Sequence, residues 1–328
     1  MSLSGQKVLV TGAGGFIASH IAERLVSEGA QVRALVHYNA LGHRGWLDKS
    51  PLSEHMEIVA GDLTDFDSVR AAMRGAEIVF HLGALITIPY SYQAPLSYVR
   101  TNICGTLNVL QSARELGAKR VVHTSTSEVY GTAQYAPIDE QHPLHSQSPY
   151  AASKIGADKI AEAFQCAFGV PVVTVRPFNA FGPRQSARAI IPTIIAQCLC
   201  GKKSIHLGNL SPTRDMNYVS NTVDGFLCAS EADQAVGQTI NIGSGREISI
   251  GDLARLIMKF TGTDIAITSE EQRIRPEKSE VDRLLCDNSL AQRLLGWTPK
   301  VTLEEGLQRT IDWMRDNMEN YRPDVYTI

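Results

Sequence analysis

The chain predicts an α/β fold: a doubly wound parallel sheet with a smaller, interleaved C-terminal part. Three observations predict it. Short β-branched runs alternate with longer amphipathic segments through the first half. A glycine-rich turn follows the first of those runs. After about residue 178 the rhythm breaks into loops that carry Pro, Gly and Arg.

The strand candidates, in order, are Lys7–Thr11, Gln31–Val36, Glu57–Ala60, Ile78–Leu82, Arg120–Ser125 and Val172–Pro177. Between them the helical candidates are Phe16–Glu28, Asp67–Met73, Tyr98–Leu116 and Pro149–Phe168. Such alternation builds βαβ units, whose helices cover both faces of a parallel sheet. The run Gln238–Ile242 returns to that sheet. The expected division is therefore residues 1–178, with a return segment near 214–243, and residues 179–328 as a second part. Loops Phe181–Arg188, Leu207–Asp215 and Arg273–Glu280 belong to the second part. The polar tail after Asn317 is expected to be mobile. There is no internal repeat or low-complexity tract.

Composition narrows the class. The chain has 328 residues, 44% of them hydrophobic, enough for a sizeable core. A net charge of -3 offers no field for nucleic acid, so no nucleic-acid partner is expected. No apolar run reaches the ~18 residues of a membrane span, and no charged and apolar leader precedes the first strand. Six scattered cysteines form no CxxC pair and no zinc spacing, so no metal is expected. They read as small buried hydrophobes in a reducing compartment. A cytoplasmic location is expected.

The first strand runs into Thr11-Gly12-Ala13-Gly14-Gly15-Phe16-Ile17-Ala18. Glycine permits the turn and lets backbone approach a pyrophosphate, while the next helix aims its free N–H groups and dipole at the anion. A small residue at Ala18 allows close helix–strand packing. The pattern predicts a Rossmann-type NAD(P) site that includes Gly12, Gly15, Phe16 and Ile17. The second strand ends at His37 without the carboxylate that favours NAD, so either NAD or NADP fits, and His37 or Arg33 can face a 2′-phosphate. Asp62, beside Leu63, either accepts from the adenine amino group or caps the next helix.

Tyr150 and Lys154 stand four apart behind Ser148-Pro149, so both project from one face of a starting helix. A neighbouring ammonium is expected to lower the phenol pKa toward the working range. Such a Tyr can take a proton from a sugar hydroxyl while hydride leaves the same carbon. The strand end before it, Thr124-Ser125-Thr126-Ser127-Glu128, offers hydroxyls and one carboxylate toward the reacting group. An exposed loop Glu is the plainer reading of Glu128.

With these motifs the chain resembles the extended short-chain dehydrogenase family of nucleotide-sugar epimerases and dehydratases, over about residues 5 to 315. Further matches are His81-Leu82-Gly83-Ala84, Thr101–Thr106, Arg176–Pro183, Arg214-Asp215 and Arg275-Pro276. The resemblance implies cofactor contacts at Leu82, Ala84 and Pro177 beside Tyr150 and Lys154. It implies a nucleotide-sugar substrate held by Asn179, Arg188, Arg214 and Arg275, with Glu280 on the ribose. It also implies a tightly bound, recycled cofactor and a homodimer whose Tyr98–Leu116 and Pro149–Phe168 segments pair into a four-helix bundle. Gly182–Arg188 and Ser91–Pro95 are the expected covering loops.

Within that family the residue at Glu128 separates the reactions. Simple 4-epimerases usually carry a small or apolar residue there, and 4,6-dehydratases a Glu. Ser127 before it is similar to the GDP-mannose 4,6-dehydratases rather than the glucose type, which has Asp. The segments Gly45–Asp48, Ile88–Tyr92 and Arg275–Glu280 are most similar to nucleotide-activated N-acetylglucosamine 4,6-dehydratases of legionaminic-acid-type pathways. The resemblance therefore implies a 4,6-dehydratase with Thr126, Ser127, Glu128, Tyr150 and Lys154 as catalytic residues. The rival readings are a 4-epimerase and a non-catalytic NAD(P)-binding regulator.

Overall fold

In a computed structural model, which describes residues 2–322, six strands of the main sheet precede residue 178. They are β1 (Lys7–Thr11), β2 (Gln31–His37), β3 (Met56–Gly61), β4 (Ile78–His81), β5 (Arg120–Thr124) and β6 (Val172–Pro177). The Thr239–Ile242 strand pairs with β6 as the seventh, so the chain does return to the sheet. The order is Thr239–Ile242, β6, β5, β4, β1, β2, β3, all parallel. Each predicted strand matches within one residue at either end.

The strands read as unbroken apolar runs because both faces are covered. Val8 and Val10 of β1 join one core cluster while Leu9 joins the other. Phe80 and Val79 of β4 divide in the same way. The strand order reverses between β1 and β4, and in open α/β sheets ligands bind beyond the C-terminal strand ends at such a switch point. Thr11 and His81 close β1 and β4 side by side. The Thr11 hydroxyl lies 2.9 Å from His81 Nδ1 and accepts from the amides of Leu82 and Gly83 at 3.1 and 3.0 Å.

The helix of Pro149–Phe168 forms as expected. Ser148 caps it by accepting the Ala151 amide, Pro149 opens it, and Gly169 ends it at φ 68°. The predicted helix Tyr98–Leu116 is instead three pieces. A turn at Pro95–Tyr98 runs into a π-helical segment, Val99–Cys104, and then into the α-helix Gly105–Leu116. The π segment turns Asn102 inward. Its amide binds both backbone groups of Leu85 and donates to Ser153 Oγ, which ties this segment to the Pro149–Phe168 helix.

Beyond Pro177, apart from Thr239–Ile242, the strands form small sheets of two or three. The strand Thr213–Asp215 lies between Glu247–Ser249, antiparallel, and Arg283–Leu284, parallel. Asp215 is buried and accepts from Ser244 and from the amides of Gly245 and Cys286. It fixes the strand that carries Arg214.

Several expectations change. Cys198 and Cys286 are buried, but Cys104, Cys166 and Cys200 are exposed. Ser91–Pro95 is not a loop, because helix Ile88–Gln93 runs into the turn at Pro95. In the tail, Tyr321 is buried and donates to the Gln185 carbonyl, so this part is packed; residues 323–328 lie outside the described residues. Among the described residues no helix is long and apolar enough to cross a membrane.

Candidate active site

The glycine turn closes β1 onto helix α1 (Phe16–Ser27). Gly12 has φ +67°, and a Cβ there would stand 2.7 Å from the Gly83 backbone. A Cβ on Gly14 would stand 2.5 Å from the Arg44 carbonyl. No side chain caps α1, so the amides at Phe16 and Ile17 have no side-chain partner at the helix N-terminus. Backbone alone forms this cradle, and it fits a dinucleotide pyrophosphate.

The rim of the cradle differs in part from expectation. His37 is exposed at the end of β2 and acts on half-buried Asp62 beyond β3. Asp62 accepts from the Thr64 amide and hydroxyl, which hold its carboxyl below the usual range. The cap of helix α2 (Phe66–Met73) is Asp65, so Asp62 is no helix cap. Arg33 is bound to Glu57 and to the carbonyls of Ala72 and Arg74 and is not free for a phosphate. Leu63 packs on Gly83, and Leu82 and Ala84 follow β4 at the switch point. Pro177 ends β6.

Tyr150 and Lys154 lie one turn apart and are buried. The Thr126 side chain acts on the Tyr150 phenol and favours its ionised form. Leu85, Ile88 and Tyr98 pack around it, with the Tyr98 ring edge-on at 6.2 Å between centroids. Lys154 Nζ donates to the Thr124 carbonyl at 2.5 Å. Burial brings Lys154 down to about 8 against the pull of Asp158. The expected lowering of the Tyr150 pKa is reversed. Burial raises it, and the carboxylates of Glu128 and Asp158 raise it further, while Thr126 opposes. The Lys154 ammonium is turned to the Thr124 carbonyl, so Thr126 is the group that favours the phenolate in this arrangement.

Thr126, Ser127 and Glu128 follow β5. Thr126 caps the short helical turn Ser127–Tyr130 by accepting the Glu128 amide at 3.2 Å. Ser127 is buried and Glu128 half-buried. The Glu128 carboxylate acts on Tyr150 on one side and on Arg214 on the other.

Arg214, Arg275 and Glu280 are brought together although they are distant in sequence. Arg214 Nη2 donates to Glu280 Oε1 at 3.3 Å, and Arg275 Nη1 lies 3.6 Å from the same oxygen. Burial and Arg275 lower the Arg214 pKa, while Glu128 and Glu280 oppose. Asn179 Oδ1 and Arg275 Nη1 are buried without a hydrogen-bond partner. Two close guanidiniums, Arg275 with an unused donor, suit a diphosphate. Arg188 stands apart from them. It is exposed, and its Nη1 donates to Thr87 Oγ1 at 2.9 Å.

Sequence reasoning missed two groups here. Gln147, just before the Pro149–Phe168 helix, binds the Thr132 amide and the carbonyls of Lys278 and Glu280, so it seats the loop of Arg275 and Glu280. Asp158 lies buried below Lys154. Its signal was present, since Asp158 continues the four-residue spacing from Tyr150 through Lys154.

Comparisons with known proteins give the family. The profile of the GDP-mannose 4,6 dehydratase family matches residues 9–310. A UDP-glucose 4-epimerase of Mycolicibacterium smegmatis is 31% identical over 95% of this chain and 100% of its own. A dTDP-glucose 4,6-dehydratase of Streptomyces antibioticus is 30% identical over 96% of this chain and 94% of its own. The crystal structure of a dTDP-glucose 4,6-dehydratase of Streptomyces venezuelae, solved with NAD bound, superposes with a TM-score of 0.88. It is 28% identical, and the match covers 97% of this chain and 99% of that one.

Proposed function

Because the chain belongs to the GDP-mannose 4,6 dehydratase family, among the NAD-dependent nucleotide-sugar epimerases and dehydratases, we propose that it is a nucleotide-sugar 4,6-dehydratase. The substrate in this reading is UDP- or GDP-N-acetylglucosamine, and the product is its 4-keto-6-deoxy sugar. Residues 1–178 with the return near 214–243 hold the cofactor, and residues 179–328 mainly hold the substrate. The named relatives divide between dehydratases and epimerases. The observation that carries the reading is Glu128, a carboxylate that acts on both Tyr150 and Arg214.

When bound, NAD supplies the hydride acceptor at sugar C4 and returns that hydride to C6. Arg214 and Arg275 hold the diphosphate and Glu280 the ribose, which brings the sugar to the catalytic helix. Thr126 hydrogen-bonds O4 while Tyr150 takes the O4 proton. The 4-keto group acidifies C5–H, and Glu128 removes that proton. The C6 hydroxyl leaves as water with a proton from Glu128 itself or through Ser127. Glu128, deprotonated once its proton has left with the water, takes a new one from solvent and gives it to C5, while Tyr150 releases the O4 proton to solvent, so the proton transfers balance.

Glu128→Gln tests the assignment. It removes the base and leaves Tyr150, Thr126 and Lys154 in place. C4 oxidation is expected to persist, seen as reduced cofactor on mixing with substrate, while dehydration falls by about 10²–10⁴-fold. Unimpaired dehydration would contradict the role of Glu128. A 4-epimerase remains the second reading, favoured by the epimerase relatives, and it gives a C4 epimer with no loss of water.

The same reading makes the protein a cytoplasmic homodimer joined through Tyr98–Leu116 and Pro149–Phe168. Exposed Val99, Leu107 and Phe168 on these segments support it. A monomer in sedimentation would contradict it.

A further inference from the structure

Asp158 stands one helical turn beyond Lys154, and the chemistry above leaves it unused. His123 Nε2 lies 3.0 Å from its Oδ1. Ser125 Oγ donates to its Oδ2 at 2.6 Å, and Arg176 Nη2 donates to the same oxygen at 3.1 Å. His123 belongs to β5, Ser125 follows it, and Arg176 belongs to β6. One buried carboxylate thus ties the catalytic helix to two strands whose ends lead to Thr126 and Asn179. Arg176 continues the row by donating to the Tyr130 hydroxyl at 2.9 Å, which donates to Asn241 Oδ1 at 2.8 Å.

Lys154 is buried, and its hydrogen bond goes to a neutral carbonyl. A buried ammonium needs an opposite charge to stay ionised. The surrounding titratable groups are His81 on β4, His123 on β5, Arg176 on β6, and Tyr150 and Asp158 on the helix itself. Burial lowers the pKa of both His81 and His123, and Arg176 is a cation. Asp158 is the negative charge that acts on Lys154.

We propose that Asp158 is a positioning residue for the C4 oxidation: it is the buried counter-ion that keeps Lys154 an ammonium and fixes the catalytic helix to the floor of the cleft. The inference rests on the reading of Tyr150 and Lys154 as the C4-oxidising pair, and not on the later fate of the 4-keto sugar. Burial lowers the Lys154 pKa and Asp158 opposes that fall, which agrees with it.

The test is the pH profile of kcat for Asp158→Asn, followed as total nucleotide sugar converted. Without the counter-ion Lys154 loses its proton sooner, so the alkaline limb moves to lower pH by about one unit or more, with KM little changed. Asp158→Glu, which keeps the charge, restores the limb. A limb that stays in place in an Asp158→Asn protein of lowered thermal stability would overturn the proposal, since Asp158 would then only pair Arg176. If Asp158→Asn fails to fold, Asp158→Asn with Arg176→Met leaves no unpaired guanidinium and carries the same two outcomes. The product separates this claim from the dehydratase reading. A C4 epimer overturns that reading while the limb still judges Asp158, and a dehydrated product with an unmoved limb overturns Asp158 alone.

Discussion

The Thr126 hydroxyl accepts the Glu128 amide at 3.2 Å, and the Thr126 side chain also favours the ionised Tyr150 phenol. One side chain thus sets the turn that carries Glu128 and acts on Tyr150, which in the proposed reaction are the C5 base and the group that takes the O4 proton. Thr126→Val is expected to lose both effects. Loss of the cap costs about 1 kcal/mol of stability, and kcat falls by about 10²-fold. Thr126→Ser keeps the oxygen and most of the rate. Equal kcat for the Val and Ser variants would remove Thr126 from the chemistry.

Lys154 brings the next expectation. Its ammonium, lowered by burial to about 8, is lost as pH rises through that value. In the proposed reaction kcat therefore falls above about pH 8 with a single deprotonation. A profile flat to about pH 10 would show that the charge on Lys154 does not matter to turnover.

Arg275 is the third. Its Nη1 is buried without a hydrogen-bond partner and shares Glu280 with Arg214. A charge-assisted bond from it to the diphosphate is worth about 1.5–3 kcal/mol, so Arg275→Gln is expected to raise KM by about 10–100-fold with kcat little changed. Measured kinetics in which kcat falls and KM stays would place Arg275 at the reacting sugar instead.

The sheet was legible because each buried strand must be apolar on both faces, and Val8-Leu9-Val10 states this directly. The nucleotide turn was legible for the same kind of reason, since only glycine passes Gly83 at Gly12. The environment of Tyr150 was not. Spacing places Lys154 one turn away but does not say where its ammonium points, and it points to the Thr124 carbonyl. Asp158 was overlooked because a carboxylate on a helix usually faces water. Its burial is decided by His123 and Arg176 on strands far away in sequence. Arg33 failed for a related reason, as Glu57 and two carbonyls engage it before any phosphate can. The π segment at Val99–Cys104 leaves no mark in the apolar spacing.

The central claim is that Glu128 turns C4 oxidation into loss of water. The most direct test is a proton NMR time course in D2O with UDP- and GDP-N-acetylglucosamine and added NAD or NADP. The account predicts a new C6 methyl signal with deuterium at C5, and the nucleotide that yields it is the substrate. Conversion of the gluco pattern to galacto with no methyl signal would contradict it and make the protein a 4-epimerase.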